Sequence, residues 1–311
     1  MQTVGQSLLA VLFTYLFLRS LNLGKLPSTL GGIIFAFSGF NTIWLEWNVH
    51  GWTTAFFVLL LYFTHHFFTK PKPLFGLLIS LSLCFQIFSG YPQTVFYSLI
   101  AIGFYVLFMF KADLKKYSFF VLFVILGFAF SSIQLLPTFE LFLNSQRHLE
   151  ILAKEHSFLP WSFLISLFAP DFFGNQTTGN FWGRNDYTNT VLYSGLISLI
   201  LATFSLKVFK NRSIRFFVFL FFFSVLFSLP IPYLSSITSL GFLGQSAAAA
   251  TRILFLANFS VAVLSAFGFD YLWGNSIKIR DVARVYYFPT IVLTGVFLGT
   301  FIAYKKFISL T

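Results

Sequence analysis

Ten apolar stretches divide this chain, and the basic residues between them are alternately many and few. The stretches cover residues 4–18, 30–45, 53–68, 74–89, 94–110, 117–136, 190–206, 214–229, 253–273 and 285–304. Continuous apolar runs without polar alternation are typical of helices in lipid, because a lipid-facing backbone must satisfy its own hydrogen bonds. The pattern predicts an all-α fold: a polytopic membrane helix bundle of about ten transmembrane helices, forming one integral membrane domain over residues 1–311.

The distribution of charge predicts the orientation of the bundle. Fourteen of the twenty Lys and Arg residues fall in one alternate set of loops. These are Arg19, Lys25, Lys70, Lys72, Lys111, Lys115, Lys116, Lys207, Lys210, Arg212, Arg215, Lys278, Arg280 and Arg284. The other loops hold Arg147, Lys154, Arg184, Arg252, Lys305 and Lys306, together with six of the nine acids. By the positive-inside rule the N-terminus lies outside.

Composition indicates a membrane partner rather than nucleic acid. Hydrophobic residues make up 57% of the chain and charged residues 9%, which is too little polar surface to coat a soluble globule. The net charge of +11 is spread over several loops instead of one basic face, so we interpret it as topology signals and contacts with anionic lipid. The single cysteine, Cys84, excludes an intrachain disulfide.

Two predicted outer loops, residues 138–189 and 230–251, are too long for simple turns. Pro137 is expected to end the span before the first loop. Within that loop, residues 161–169 are apolar but too short to cross, so we expect them on or in the outer leaflet. The second loop contains an alanine run at 247–250 and is expected to form an interfacial or re-entrant helix. This asymmetry favours a function on the outer side, although the loops alternatively only cap the bundle.

The first outer turn contains Glu46 and His50 between three tryptophans, Trp44, Trp47 and Trp52. A helical extension would place the acid and the histidine four residues apart on one face, where they could share a proton or bind a metal. Two ligands are too few to specify a metal site. The alternative is a pair that hydrogen-bonds to water and lipid headgroups, with the tryptophans forming an interfacial belt.

The second outer turn, residues 89–94, contains Gln93 directly after Gly90, Tyr91 and Pro92. Glycine permits a tight turn, proline suits the first position of a helix, and the amides at that helix start favour an anion. Gln93 would add a directional hydrogen bond to a phosphate or polar headgroup. The alternative is a turn with no ligand.

The long outer loop brings acids, arginines and aromatic residues together. Asp171 follows Pro170, and Arg184 and Asp186 follow Trp182. A carboxylate, a guanidinium and flat rings are what a sugar-phosphate site uses. We expect these residues to gather with Glu46 and Gln93 around one outward-facing cavity. An Asp–Arg pair that pins the loop is the competing interpretation.

Arg252 stands at the outer mouth of the span that begins at Ile253. An arginine at that depth is costly unless it is paired or extends to the headgroups. Since a lipid phosphate lies at the same level, Arg252 is a candidate phosphate ligand. The alternative is an anchor that sets topology.

The order of several short motifs resembles YfhO-type bacterial membrane proteins, relatives of the GT-C glycosyltransferases. The motifs are Phe35-Ala36-Phe37-Ser38-Gly39, Ser89-Gly90-Tyr91-Pro92-Gln93, Leu136-Pro137-Thr138 with Ser145-Gln146-Arg147, Pro170-Asp171-Phe172-Phe173-Gly174, Tyr193-Ser194-Gly195-Leu196, and Arg252-Ile253-Leu254-Phe255-Leu256 with Gly268-Phe269-Asp270. The likeness covers nearly the whole chain.

The resemblance implies an enzyme that transfers a sugar from a polyprenyl-phosphate carrier to a cell-envelope glycopolymer, on the outer face of the bacterial cytoplasmic membrane. The implied substrate-binding residues are Gln93, Arg147, Arg184, Arg252 and His50. The candidate catalytic acids, near the sugar or a divalent metal ion, are Glu46, Asp171 and Asp186. Such enzymes carry their usual aspartate in an outer loop after the first helix. This chain opens at what resembles the second core helix, so we expect an upstream segment.

Two other function classes stay open at the level of sequence. A lipid or polymer transporter or flippase would line its path with polar residues near mid-span, where the chain offers mainly Gln86 and Gln134. A non-catalytic membrane scaffold would need no acid beside the sugar. The sequence contains no zinc-ligand spacing and no phosphate-binding glycine loop, so no metal site is assigned.

Overall fold

A computed structural model describes residues 2–48, 50–145, 158–183, 186–232, 250–275 and Thr294. The described residues form helices and connections without a strand, which confirms the all-α prediction for this part of the chain. The helices are α1 (Gln2–Ser20), α2 (Lys25–Ala36), α3 (Gly39–Trp44), α4 (Gly51–Thr69), α5 (Pro73–Phe88), α6 (Pro92–Met109), α7 (Leu114–Phe130), α8 (Ser132–Leu143), α9 (Leu196–Ser205), α10 (Arg212–Ser228) and α11 (Leu254–Gly274). Short 3-10 helices cover Trp161–Leu167, Tyr187–Asn189, Leu206–Val208 and Ala250–Ile253.

Helix α11 is the centre of the bundle. Its residues 254–268 are all buried, and it packs against α2, α9 and α10. Helix α1 packs on α2 and α4, and α5 joins α4 to α7. A helix that is apolar on every side is typical of a position surrounded by other helices.

Phenylalanine rings fill the space around α11. The Phe259 ring lies 4.9 Å from the Phe35 ring, 5.3 Å from Phe57, 5.8 Å from Phe217 and 5.9 Å from Phe17, measured between centroids. Most of these contacts are edge-to-face or tilted, which suits the quadrupoles of aromatic rings. Four different helices are therefore held to α11 through one side chain.

Among the described residues, three segments are long and apolar enough to cross a membrane: α1, α6 and Ala250–Gly274, which includes α11. Helices α7 and α8, bent by 70° at their junction, would together make a fourth. The predicted ten spans are not confirmed. One physical reason is length, since α5 has 16 residues and α9 has 10, which correspond to about 24 and 15 Å against a hydrocarbon core of about 30 Å. The apolar stretch 285–304 lies outside the described residues apart from Thr294.

The predicted span 30–45 is broken into α2 and α3 at Phe37 and Ser38. The Ser38 hydroxyl and the Asn41 amide both donate to the Phe35 carbonyl, at 2.8 Å each. The Gly39 N–H donates to the Tyr193 carbonyl at 2.8 Å. Side chains and a distant loop thus replace the backbone bonds of a continuous helix, which ends α2 early.

The predicted end of the span at Pro137 is wrong, because Pro137 lies inside α8. The direction of the chain changes earlier, at Ser131, whose hydroxyl donates to the Gly127 carbonyl at 2.8 Å. Such a bond from a serine to its own helix bends the helix. Residues 138–143 are therefore helical, and the long connection starts at Asn144.

In the described part of the chain, the loops with Lys70 and Lys111 follow α4 and α6, and the turns before these two helices lie at their opposite ends. At one end the Phe68 ring lies 4.9 Å from Phe110 and 5.6 Å from Tyr117, so the loops with Lys70 and Lys111 are neighbours. At the other end the turns before α4 and α6 meet the 3-10 helix Ala250–Ile253, as described below. We refer to that end as the Arg252 end.

The apolar segment 161–169 forms a 3-10 helix at Trp161–Leu167. Phe163 stacks on Phe173 with centroids 4.0 Å apart, and both join a small buried cluster with Leu254 and Ala257 of α11. Trp161 is exposed. The segment thus packs on the bundle with one face and leaves the other free. Nearly all of the second long loop, residues 233–249, lies outside the described residues.

Candidate functional site

Arg252 is buried where the 3-10 helix Ala250–Ile253 leads into α11. It is 9% exposed, and its Cζ atom lies 4.0 Å from the centroid of the Trp44 ring and 5.9 Å from that of Tyr91. Its Nε and Nη1 atoms have no hydrogen-bond partner, and no described carboxylate lies within ion-pair distance. The guanidinium also donates a hydrogen bond to the Tyr91 hydroxyl and has a favourable charge interaction with Asp186. It is therefore held mainly by aromatic side chains rather than by an ion pair.

The energies involved show that the rings alone do not balance the burial. Taking one ion out of water costs several kcal/mol, and an uncompensated buried charge destabilises a protein by roughly 3 to 5 kcal/mol. A desolvated cation–π contact returns about 2 kcal/mol. Even with the Tyr91 hydrogen bond and the Asp186 charge, Nε and Nη1 of this buried cation stay without partners.

Trp44 contributes both a ring and a donor to the site. Its side chain is 8% exposed, and its Nε1–H has no hydrogen-bond partner. An indole nitrogen can only donate. Together with Nε and Nη1 of Arg252, it gives a set of unused donors on two side chains in direct contact.

His50 lies against the same two rings as Arg252. Its ring centroid is 4.5 Å from Trp44 and 3.8 Å from Tyr91, and the side chain is fully buried. Nδ1 lies 3.0 Å from the Thr94 hydroxyl oxygen, while Nε2 has no partner. Burial lowers the pKa of His50 well below its ordinary value, and the charge of Arg252 lowers it further, so the ring is neutral at neutral pH.

A short turn explains how His50 reaches this position. Asn48 adopts a left-handed conformation with φ of 54°, which asparagine tolerates better than most residues. The chain then reverses between α3 and α4, and His50 comes to lie under Trp44. Glu46 stays exposed on the other side of the turn. The predicted helical pairing of Glu46 with His50 is therefore wrong.

Gln93 is buried in the first turn of α6, and its Nε2 donates to the Tyr97 hydroxyl at 3.2 Å. Tyr97 and Asp186 both interact electrostatically with the Arg252 guanidinium. The structure thus brings together Gln93, His50, Arg252 and Asp186 of the residues named from the sequence.

The acids differ in position. Asp186 is exposed and accepts a hydrogen bond from the Thr188 N–H at 3.1 Å, which caps the 3-10 helix Tyr187–Asn189. Asp171 is exposed and accepts from the Tyr187 hydroxyl at 2.5 Å. Burial, the hydrogen bond to Asp171 and the Asp171 charge raise the pKa of Tyr187. Only Asp186 of the three candidate acids interacts with Arg252.

The predicted outward-facing cavity stays a prediction. Two apolar grooves are present, one lined by Phe219, Phe222, Phe223, Leu226 and Phe227 and the other by Leu114, Lys115, Ser118, Phe119 and Leu122. Neither includes a residue named for the site. Arg147 and Arg184 lie outside the described residues, and the described part of the chain holds no group of three His, Cys, Asp or Glu side chains suited to a metal.

Gln86 and Gln134, the two polar residues considered for a transport path, differ in their surroundings. Gln86 is buried, and its Nε2 donates to the Thr53 carbonyl at 3.1 Å and to the Ser98 hydroxyl at 2.8 Å. It therefore joins α5 to α4 and α6. Gln134 is exposed on α8.

Sequence reasoning missed the role of Trp44, which it assigned to an interfacial belt. Trp44 and His50 are six residues apart, but Tyr91 and Arg252 are distant in the chain, and no sequence spacing links the four. The one signal that pointed here was an arginine beside a long apolar run.

Comparison of the chain with models of known families, with curated proteins and with solved structures gives no match. Function must therefore be argued from the residues at the Arg252 end.

Proposed function

We propose that this protein binds the phosphate of a polyprenyl-phosphate-linked sugar through Arg252, as a membrane glycosyltransferase of the GT-C-like type on the outer face of the bacterial cytoplasmic membrane. The observation that carries the proposal is the buried Arg252 guanidinium, with Nε and Nη1 unpartnered beside the unpartnered Nε1 of Trp44. The likeness to YfhO-type proteins supplies the sugar and the glycopolymer acceptor.

The donor set suits a phosphate group. Arginine presents parallel N–H groups that match two phosphate oxygens, and the indole N–H adds a third donor. In glycosyl transfer from a phosphate-linked donor, negative charge develops on the departing phosphate. Fixed donors in a water-poor site would stabilise that charge. Arg252 and Trp44 thus have a role both in binding and in the transfer step.

Asp186 is the acid that we propose to act near the sugar. Its electrostatic interaction with Arg252 is the supporting observation, because the base for the acceptor hydroxyl and the donors that hold the departing phosphate must both flank the same sugar. Asp171 accepts a hydrogen bond from the Tyr187 hydroxyl, and Glu46 is exposed. Arg147 and Arg184 are proposed as further phosphate contacts from the long loop. A divalent ion, where the transfer needs one, would be shared with the phosphate.

The proposal predicts that Arg252→Lys weakens binding of farnesyl methyl phosphate, a short prenyl phosphodiester, to the purified protein in detergent. Lysine keeps the charge but loses the parallel donors, so we expect a loss on the order of 1 to 3 kcal/mol, or roughly 5- to 150-fold in Kd. Titration calorimetry measures it. Trp44→Phe keeps a stacking ring and removes one donor, and should weaken binding by a smaller factor.

Arg212 gives a matched control. It also stands at the start of a helix, with its Cζ 6.0 Å from the Phe108 ring, but it is exposed. Arg212→Lys should leave the affinity unchanged. Equal affinities for the wild type, Arg252→Lys and Arg252→Ala would reduce Arg252 to an anchor and remove the basis of the proposal.

Transfer itself requires a second assay. Polyprenyl phosphate carrying a labelled hexose is incubated with the protein and a glycopolymer acceptor, and label in the polymer is counted. Asp186→Asn is expected to reduce incorporation by more than tenfold, as for loss of a general base, while Asp171→Asn has a smaller effect. Binding without transfer in the wild type would favour the scaffold.

A further inference from the structure

Beside the unpartnered donors of Arg252 and Trp44 lies one further unpartnered atom that the proposed function does not use, Nε2 of His50. The ring is fully buried and has no partner at Nε2, whereas Nδ1 lies 3.0 Å from the Thr94 hydroxyl oxygen. It lies against Trp44 and Tyr91, the two rings that also hold the Arg252 guanidinium. A histidine and an arginine thus share one aromatic enclosure without a described acid between them.

We propose that His50 is the second cation of this site, taking up a proton from solvent when a phosphate anion binds beside Arg252 and releasing it when the anion leaves. The inference rests on the proposed anion site. It gives His50 a change of charge on binding and gives the binding a direction of pH dependence.

The charges around His50 decide the direction. From the 3-10 helix, Arg252 repels a proton on the ring, and burial disfavours the charged form as well. Tyr91, directly before α6, lies with its ring tilted by 50° against the His50 ring, and Tyr97 of α6 accepts a hydrogen bond from Gln93. From the connection before Tyr187–Asn189, Asp186 interacts with Arg252. A bound anion offsets the charge of Arg252, so the main repulsion on His50 disappears.

The hydrogen bonding is consistent with either state of the ring. In the neutral ring one nitrogen carries hydrogen and the other is an acceptor. After uptake of a proton both nitrogens donate, Nδ1–H to the Thr94 hydroxyl and Nε2–H to the anion. The proton comes from water or buffer, and no other bond changes.

By linkage, a ligand that raises proton affinity is itself bound more tightly when protons are abundant. The dissociation constant should therefore fall as pH falls. A phosphodiester probe is needed, because a phosphomonoester has a second ionisation near pH 6 that would mask the effect.

The test uses farnesyl methyl phosphate and the purified full chain. Calorimetry at about pH 6.5, the ordinary pKa of histidine, in two buffers of different ionisation enthalpy gives the number of protons taken up. The wild type should take up a substantial fraction of one proton. Its Kd should fall roughly tenfold between about pH 7.5 and pH 5.5, within the usual range of coupling between two sites.

His50→Gln keeps a side chain that can hydrogen-bond to Thr94 but cannot titrate. It should bind the probe with no proton uptake and an affinity independent of pH. His66→Gln, at the other end of α4, is the matched control and should behave as the wild type.

Two outcomes separate the inference from the proposed function. If Arg252→Gln abolishes binding but the wild type takes up no proton, the role of His50 is wrong and the anion site stands. If Arg252→Gln binds as tightly as the wild type, both are wrong. Proton uptake that persists in His50→Gln also overturns the inference, and the buffer comparison on the unaltered chain does not depend on how any variant folds.

Discussion

At the scale of single residues, the Arg252 end depends on side chains that are costly to bury. Arg252, His50 and Trp44 all keep polar atoms without partners. The cost of Arg252 was readable from its place beside an apolar run. The residues that contact Arg252 could not be predicted from the sequence. The left-handed turn at Asn48 brings His50 back against Trp44, and no local sequence pattern predicts that turn. For the same reason the helical pairing of Glu46 with His50 failed.

The neutral state of His50 predicts how stability changes with pH in the absence of ligand. Its folded pKa lies below the unfolded value of about 6.5. Between these two pKa values the unfolded chain binds more protons than the folded chain. The contribution of neutral His50 to the free energy of unfolding is therefore complete above about pH 6.5 and falls as the pH decreases below that value. His50→Gln should therefore lose less thermal stability than the wild type between about pH 7.5 and pH 5.5.

Melting curves in detergent, followed by tryptophan fluorescence, measure this difference. The other histidines are present in both proteins and cancel in the comparison. Parallel declines of the two melting temperatures would show that His50 is not buried in a neutral form.

At the scale of elements, most helices were predictable within a few residues, because apolar runs between basic loops mark them strongly. The errors occur where polar side chains take over backbone hydrogen bonds. Asn41 and Ser38 divide α2 from α3, and Ser131 bends α7 away from α8. A hydropathy profile does not show such bonds, because one serine or asparagine inside an apolar run barely changes the mean hydropathy of that run.

The packing of α9 against α11 can be tested at Gly268. A Cβ atom there would overlap the carbonyl oxygen of Leu201 in α9. Gly268→Ala should push α9 and α11 apart and destabilise the protein by roughly 1 to 3 kcal/mol, as overpacking does. Gly103→Ala in α6, where a Cβ meets nothing, is the control and should be neutral or slightly stabilising, since alanine favours a helix.

Thermal unfolding of both variants decides the matter. A melting temperature for Gly268→Ala equal to that of Gly103→Ala would mean that α9 and α11 do not approach as closely as described.

At the scale of the whole molecule, the loops sort onto two ends of one bundle. The loops with Lys70 and Lys111 meet at one end, and Trp44, His50, Tyr91 and Arg252 meet at the other. The sequence predicts such a sorting loop by loop from charge alternation, and the side of the membrane on which each end lies stays a prediction. It could not fix the number of spans, because α3 and α9 are too short to cross alone.

Orientation in the membrane is tested by cysteine labelling in intact cells, after Cys84→Ser removes the native thiol. A cysteine at Asn180 should react with an impermeant reagent, and one at Lys115 should be protected. The reverse pattern would place the Arg252 end on the cytoplasmic side and rule out an outer-face reaction.

The central claim is that Arg252 receives a phosphate. An experimental structure with farnesyl methyl phosphate bound tests it most directly. We expect phosphate oxygens about 2.7 to 2.9 Å from the guanidinium nitrogens of Arg252, the usual length of a charge-assisted hydrogen bond. We also expect the Trp44 Nε1–H to donate a hydrogen bond to the phosphate. Phosphate bound elsewhere, with Nε and Nη1 of Arg252 still unpartnered, would contradict it.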